Sequence, residues 1–193
     1  MKLSLPTNHA EYKLIKDCVC HKREAQKRFY NRFAAQMFGV CLRYAHDYQQ
    51  AEDLLQEGFI KVFKNLDKYR GEGSFEGWIR RIFVNAAIEQ FRKNQHMLPV
   101  HDLQIVNNLS VRNEALTNLA VEKLMGFIQA LSPGYRTVFN LYAIEGYSHK
   151  EIANMLGISE GTSKSQLARA RYILQRVILK NQESKYESIL QSS

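Results

Sequence analysis

The side chains that could do covalent or metal chemistry are few and badly spaced for it. Cys18, Cys20 and His21 crowd together like half a metal site, yet no second ligand pair follows at the interval that a structural zinc centre needs. Gly71, Gly73 and Gly77 miss the dinucleotide-binding spacing by one position and follow no strand-like run. Phosphate-loop and metalloprotease motifs are absent, and nothing pairs any of the six histidines with a nucleophile. No catalytic residue, metal site or cofactor is assigned, and the chain reads as a binding protein, not an enzyme.

Recognition chemistry is concentrated elsewhere. The run from Ser148 to Leu156, then Gly157-Ile158-Ser159, then Glu160 onward is a helix-turn-helix pattern. Ala153 is small where two helices would cross, Gly157 can turn left-handed to end the first helix, and Ser159 can cap the second. At 100° per residue, Leu167, Ala170, Leu174, Val177 and Ile178 share one face of the second helix. Thr162, Ser165, Arg169, Tyr172 and Arg176 lie opposite, where polar reach and positive charge suit a DNA groove. Residues 160–180 hold five basic side chains and one acidic one.

Two further stretches stand out. Tyr69-Arg70-Gly71 through Ser74, Trp78, Arg80, Arg81 and Asn85 interleaves aromatic and basic side chains, the mixture that stacks on bases and holds the backbone of single-stranded nucleic acid. On the preceding segment, 49–66, a core stripe of Leu55, Phe59, Val62, Phe63 and Leu66 leaves Asp53, Glu57, Ile60 and Lys64 opposite, with Gln56 at the edge. An aliphatic residue set among acidic groups suggests a protein-docking surface.

The elements that must position these residues are helical. Of 193 residues 45% are apolar, which excludes a wholly disordered chain. Only Pro6, Pro99 and Pro133 interrupt the sequence, and no sustained β-branched alternation occurs. The pattern predicts helices over 11–20, 23–45, 49–66 and 74–94, with Ser74 as an N-cap, then over 115–131, 133–145, 148–156 and 160–180. Pro133 falls in a first turn, where its missing N–H costs nothing. The fold class is all-α, two small helical domains at 1–94 and 115–180 joined by a linker at 95–114, with a flexible polar tail at 181–193. The net charge of +8 divides as +6 over 1–94, −1 over 95–114 and +3 over 115–193, so both domains favour a polyanion such as nucleic acid. An odd number of cysteines, no span-length apolar run and no signal-peptide core lead us to expect a cytoplasmic protein without membrane insertion.

Taken in order, Ala51-Glu52-Asp53-Leu54-Leu55-Gln56-Glu57, Val62-Phe63, Phe75 with Trp78-Ile79-Arg80-Arg81-Ile82 and Asn85, Leu131-Ser132-Pro133, and Glu151-Ile152-Ala153 through Gly161-Thr162 to Arg169-Ala170-Arg171 carry a resemblance. Over roughly residues 10–180 the chain resembles a bacterial RNA polymerase sigma factor of the extracytoplasmic-function (ECF) group. The resemblance implies an initiation factor that binds core RNA polymerase, directs it to promoters and helps to melt DNA. Asp53, Gln56 and Glu57, with neighbouring Ile60, look like the contact with the clamp helices of the largest polymerase subunit. Tyr69 to Ser74, with Trp78, Arg80, Arg81 and Asn85, is similar to the segment that captures a flipped base of the minus-ten element. Lys164, Ser165 and Arg169 match positions facing the minus-thirty-five element, and Thr162, Gln166, Tyr172 and Arg176 complete that expected set. The C-terminal domain would also dock on the flap of the second-largest subunit. Anti-sigma partners are common in the family, although no segment here identifies one.

Three positions depart from the family pattern. Ser163 replaces the usual Val on the buried flank, so its hydroxyl is expected to bond back to the preceding turn. Gln166 stands where Arg is common, and Ala168 is too short to reach far into a groove. The alternatives are a one-component regulator that binds DNA alone, which leaves Asp53, Gln56 and Glu57 without a role, and a protein-only adaptor, which leaves Arg169 and Arg176 without one.

Overall fold

The computed structural model describes residues 9–95 and 119–190. Helices α1 (His9–Val19), α2 (Arg23–Tyr44), α3 (Tyr48–Asn65) and α4 (Phe75–Gln95) come first, with a 3₁₀ turn, Leu66–Lys68, after α3. Helices α5 (Leu119–Gln129), α6 (Pro133–Phe139), α7 (His149–Leu156) and α8 (Glu160–Leu190) follow, and no strand occurs among the described residues. The chain divides between Gln90 and Phe91, inside α4, into two compact units. The expected linker, 95–114, lies outside the described residues except for Gln95, as do 115–118 of the helix expected from 115.

Helix ends follow local chemistry. The Asp47 carboxylate accepts from Gln50 N–H at 2.7 Å to start α3, and the Ser74 hydroxyl accepts from Gly77 N–H at 3.0 Å to start α4. Cys18, Cys20 and His21 turn out to belong to the turn that ends α1. His21 takes a positive φ of 56°, and the His21 and Lys22 amides donate to the carbonyls of Cys18 and Asp17. Pro133 opens α6 as expected. The helix expected to run to 145 instead widens into a π turn, Asn140–Ile144, closed by Glu145 N–H donating to Asn140 O at 3.0 Å.

The segment from Asn181, expected to be a flexible tail, continues α8 as helix to Leu190. Its polar composition hid the fact that it contains no glycine or proline to stop a helix already nucleated over 160–180. Residues 191–193 lie outside the described residues.

The first unit is organised around rings. Phe29, fully buried, lies 4.9 Å from Phe33, 5.3 Å from Phe63 and 5.8 Å from Phe75 between centroids, and Phe59 meets Phe83 edge-on at 5.3 Å. Such offset and edge-to-face pairs add about 0.5–1.5 kcal/mol each beyond area burial. The α3 stripe expected to face the core does so: Leu55, Phe59, Val62 and Leu66 are buried and Phe63 half-buried. In the second unit Phe127, Ile128 and Leu131 pack with Ala170 and Leu174.

Gly58 of α3 lies directly against the Phe83 side chain of α4, because a Cβ there would collide with the ring. Gly58→Ala is therefore expected to destabilise the first unit by about 1–3 kcal/mol, read as a lower denaturant midpoint at unchanged slope.

All three cysteines are free thiols. Burial pushes Cys18 up to about 11 and Cys41 up to about 12, whereas Cys20 is exposed. At pH 8 a thiol reagent should consume one cysteine promptly and the other two only after denaturation, and mass mapping should place the fast label on Cys20.

Candidate functional site

Recognition-helix geometry begins at α7. Ser148 and Glu151 form a reciprocal cap: Glu151 N–H donates to the Ser148 hydroxyl at 3.3 Å, and Ser148 N–H donates to the Glu151 carboxylate at 2.8 Å. The Ser148 hydroxyl and amide hold the Glu151 carboxyl below its ordinary value. Gly157 ends α7 at φ +69°, and the Ser159 hydroxyl accepts from Thr162 N–H at 2.9 Å to start α8. Both roles were legible in the sequence.

Burial of Leu167, Ala170 and Leu174 fixes the rotation of α8. It leaves Lys164, Ser165, Arg169, Tyr172 and Arg176 exposed and Thr162 half-buried. Lys164 pairs with Glu160 at 2.9 Å, one turn back. Gln166 does not join this face: its amide is half-buried and lies beside Gly134 of α6, where an added Cβ would meet it at 3.3 Å. Its position at the edge between the two faces, with a neighbour as small as glycine, draws it inward.

Ser163 is fully buried, as expected, but its hydroxyl does not bond back to its own helix. It hydrogen-bonds His149 Nδ1 at 2.9 Å, tying the first turn of α7 to α8. The His149 ring stacks on Tyr142 at 4.5 Å, and Arg171 sits over the other ring at 5.5 Å. His149 went unnoticed in the sequence because its partner lies 14 residues away, across the turn.

In the first unit Tyr69 is corrected from base contact to core residue. It is 4% exposed, with its ring against Phe75 and Trp78 and its hydroxyl donating to Gly73 O at 3.1 Å. That bond closes the loop over Gly71 and Gly73, both at φ +76°. Ser74 serves as the α4 cap, Arg70 and Arg81 are exposed, and Arg80 is half-buried.

Trp78 and Asn85 line one shallow concavity of about 310 Å³ together with Ile82 and Glu89 of α4, Lys61 and Asn65 of α3, and Lys68 of the 3₁₀ turn. The sequence reading found two of these seven; the spacing 78, 82, 85, 89 along one helix face was the signal for the rest of α4. Lys61 donates to Glu89 at 2.6 Å and to Glu57 at 2.9 Å. Partial burial pulls its ammonium down, but its hydrogen bonds to Glu89 and Glu57 and their negative charges outweigh this and raise it on balance.

Along α3, Asp53, Gln56 and Ile60 are exposed, Ile60 by 53%, and Glu57 is half-buried by its pairing with Lys61. The four form one strip on the side away from the ring cluster.

Both units match known families. Residues 29–97 match Sigma-70 region 2, and residues 122–174 match Sigma-70 region 4. The chain is 32% identical over 135 residues to RNA polymerase sigma factor SigZ of Bacillus subtilis, covering 69% of this chain and 75% of that one. It belongs to the ECF family of RNA polymerase sigma factors. The ECF sigma factor SigM of Mycobacterium tuberculosis is 27% identical over 171 residues, covering 88% of this chain and 85% of that one. In fold the chain is similar to the sigma factor RpoE of Bartonella quintana, solved with the anti-sigma factor NepR, at a TM-score of 0.51 and 22% identity over 79% of this chain and 95% of that one. As a sigma factor the chain is a promoter-specific transcription initiation factor. Among its described residues no helix is long and apolar enough to cross a membrane.

The buried hydroxyl of Ser163 gives a direct test of how the sigma region 4 unit is held together. Ser163→Ala should cost about 1 kcal/mol in urea unfolding, the net worth of one hydrogen bond, without loss of helix content.

Proposed function

We propose that the two units read the two promoter elements through the surfaces described above, while a separate polymerase makes the RNA. The outward face of α8, set by the buried stripe of Leu167, Ala170 and Leu174, carries the reading. Lys164, Ser165 and Arg169 contact the minus-thirty-five element, flanked by Thr162, Tyr172 and Arg176, in the arrangement by which the N-terminal part of a recognition helix meets base edges. Gln166 supports this face from its flank, against α6.

At the minus-ten element, the concavity of Trp78, Ile82 and Asn85 receives an unstacked base, with side-chain amides and ammonium groups around its rim. Arg70, Arg80 and Arg81 bind the adjoining single strand, and Tyr69, Gly71 and Ser74 shape the loop above it. Binding an extruded base offsets an unstacking cost of a few kcal/mol per step, so DNA opens without covalent chemistry by this chain. Asp53, Gln56, Glu57 and Ile60 dock on the clamp helices of the largest polymerase subunit, and the C-terminal unit docks on the flap of the second-largest. An anti-sigma factor is a further partner, in keeping with the complex of the Bartonella protein. The site of action is the cytoplasm, and neither a metal nor a cofactor takes part.

The chain, mixed with core RNA polymerase and a randomised promoter library, should yield sequence-specific initiation from a defined promoter class. On the selected promoter, Arg169→Ala should cost about 1–3 kcal/mol in binding and relax one upstream position. Asn85→Ala with Arg81→Ala should reduce permanganate reactivity of the opened strand, and Asp53→Lys should weaken recovery of core polymerase. Tight operator binding by the chain alone, with no polymerase recovered, would overturn this reading in favour of a one-component regulator.

A further inference from the structure

Tyr172 is an exposed aromatic residue on the outward face of α8, flanked by two cations at helical spacing. The Arg169 guanidinium lies over its ring at 5.5 Å and the Arg176 guanidinium at 5.9 Å. Arg176 also donates to the Tyr172 hydroxyl at 3.1 Å. Three contacts thus converge on one side chain from the i−3 and i+4 positions, both within reach of a helical residue.

An isolated arginine on a solvated helix samples many rotamers, and two guanidiniums close together repel. The ring answers both problems. Its negative face attracts each cation, and its hydroxyl gives the second a directed bond. The Arg176 hydrogen bond and charge lower the Tyr172 hydroxyl from its ordinary value, as expected of an acceptor facing a cation. Seven residues separate the two arginines, a rise of about 10 Å along the helix, enough to address separate points on a DNA backbone.

Resting on the reading of α8 as the DNA-facing helix, we propose that Tyr172 is a positioning residue that pre-organises Arg169 and Arg176 as a two-point clamp on promoter DNA. The gain comes from ordering both side chains before binding, which lowers the entropic cost of immobilising them on DNA.

The test uses holoenzyme, the full chain with core polymerase, on the duplex selected by the wild-type holoenzyme from randomised DNA. Tyr172→Leu should weaken binding about 5-fold, corresponding to two cation–π contacts of exposed strength. Tyr172→Phe, which keeps the ring, should stay within about 2-fold of wild type, the weight of one exposed hydrogen bond at the low end of its range. In the Tyr172→Leu background, Arg169→Ala and Arg176→Ala should each cost less than in wild type, the coupling that a double-mutant cycle isolates. Thermal unfolding of the variants should match wild type, separating positioning from stability. If Arg169→Ala weakens binding while Tyr172→Leu does not, the clamp is refuted and the DNA-facing helix stands. If neither arginine matters, the DNA-facing assignment fails and the clamp fails with it.

Discussion

The rotation of α8 about its own axis governs what the second unit can present. Ala170 and Leu174 are buried against Phe127, Ile128 and Leu131, Leu167 is buried on the same stripe, and full burial of one leucine side chain is worth about 1.5–3 kcal/mol. Turning the helix by one residue would move that stripe by about 100° and expose it, so the outward residues are determined by exclusion. The bond from Ser163 to His149 adds a directional restraint at the N-terminal end of α8, where apolar packing alone would tolerate sliding. Non-directional burial sets the face, and the hydrogen bond sets the register against α7.

The first unit applies the same logic with aromatic packing. Phe29, Phe59, Phe75 and Phe83 bring α2, α3 and α4 together, and Gly58 removes the one side chain that would hold α3 off Phe83. That close approach lets residues from both helices line a single concavity. Lys61 and Asn65 from α3 face Trp78 and Asn85 from α4 across it. A bulkier residue at position 58 would widen the gap and separate the two walls.

Helix positions, caps and the inward faces of α3 and α8 were legible because each rests on local chemistry or a 3.6-residue period. Ser74 and Ser159 cap within three residues of themselves. What escaped depended on contacts distant in sequence. Tyr69 has a residue type equally suited to stacking on a base or on Trp78, and only the folding-back of its loop decides between them. Gln166 sits between the two faces of α8, so its direction depends on the absent side chain of Gly134 rather than on periodicity. His149 and Ser163 each look unremarkable until the turn brings them within 2.9 Å. The continuation of α8 past Asn181 was hidden by composition, since polarity there speaks of solvent exposure and not of helix breaking.

Charge separates the proposed tasks more finely than the total of +8 suggests. In the concavity, Lys61 is shared between Glu57 and Glu89, so much of its charge is already compensated. Two amides, an indole and Ile82 form much of the lining, with Glu89 and the ammonium groups of Lys61 and Lys68 beside them, a mixture that suits a base stacked on the indole with its phosphate toward Lys68. On α8, Arg169 and Arg176 lean on an aromatic ring instead of a carboxylate, which leaves both positive charges available to the DNA backbone. Along α3 the acidic strip of Asp53 and Glu57 would repel DNA in an otherwise basic unit. That repulsion reserves the strip for a protein partner and turns the nucleic acid toward the opposite charge.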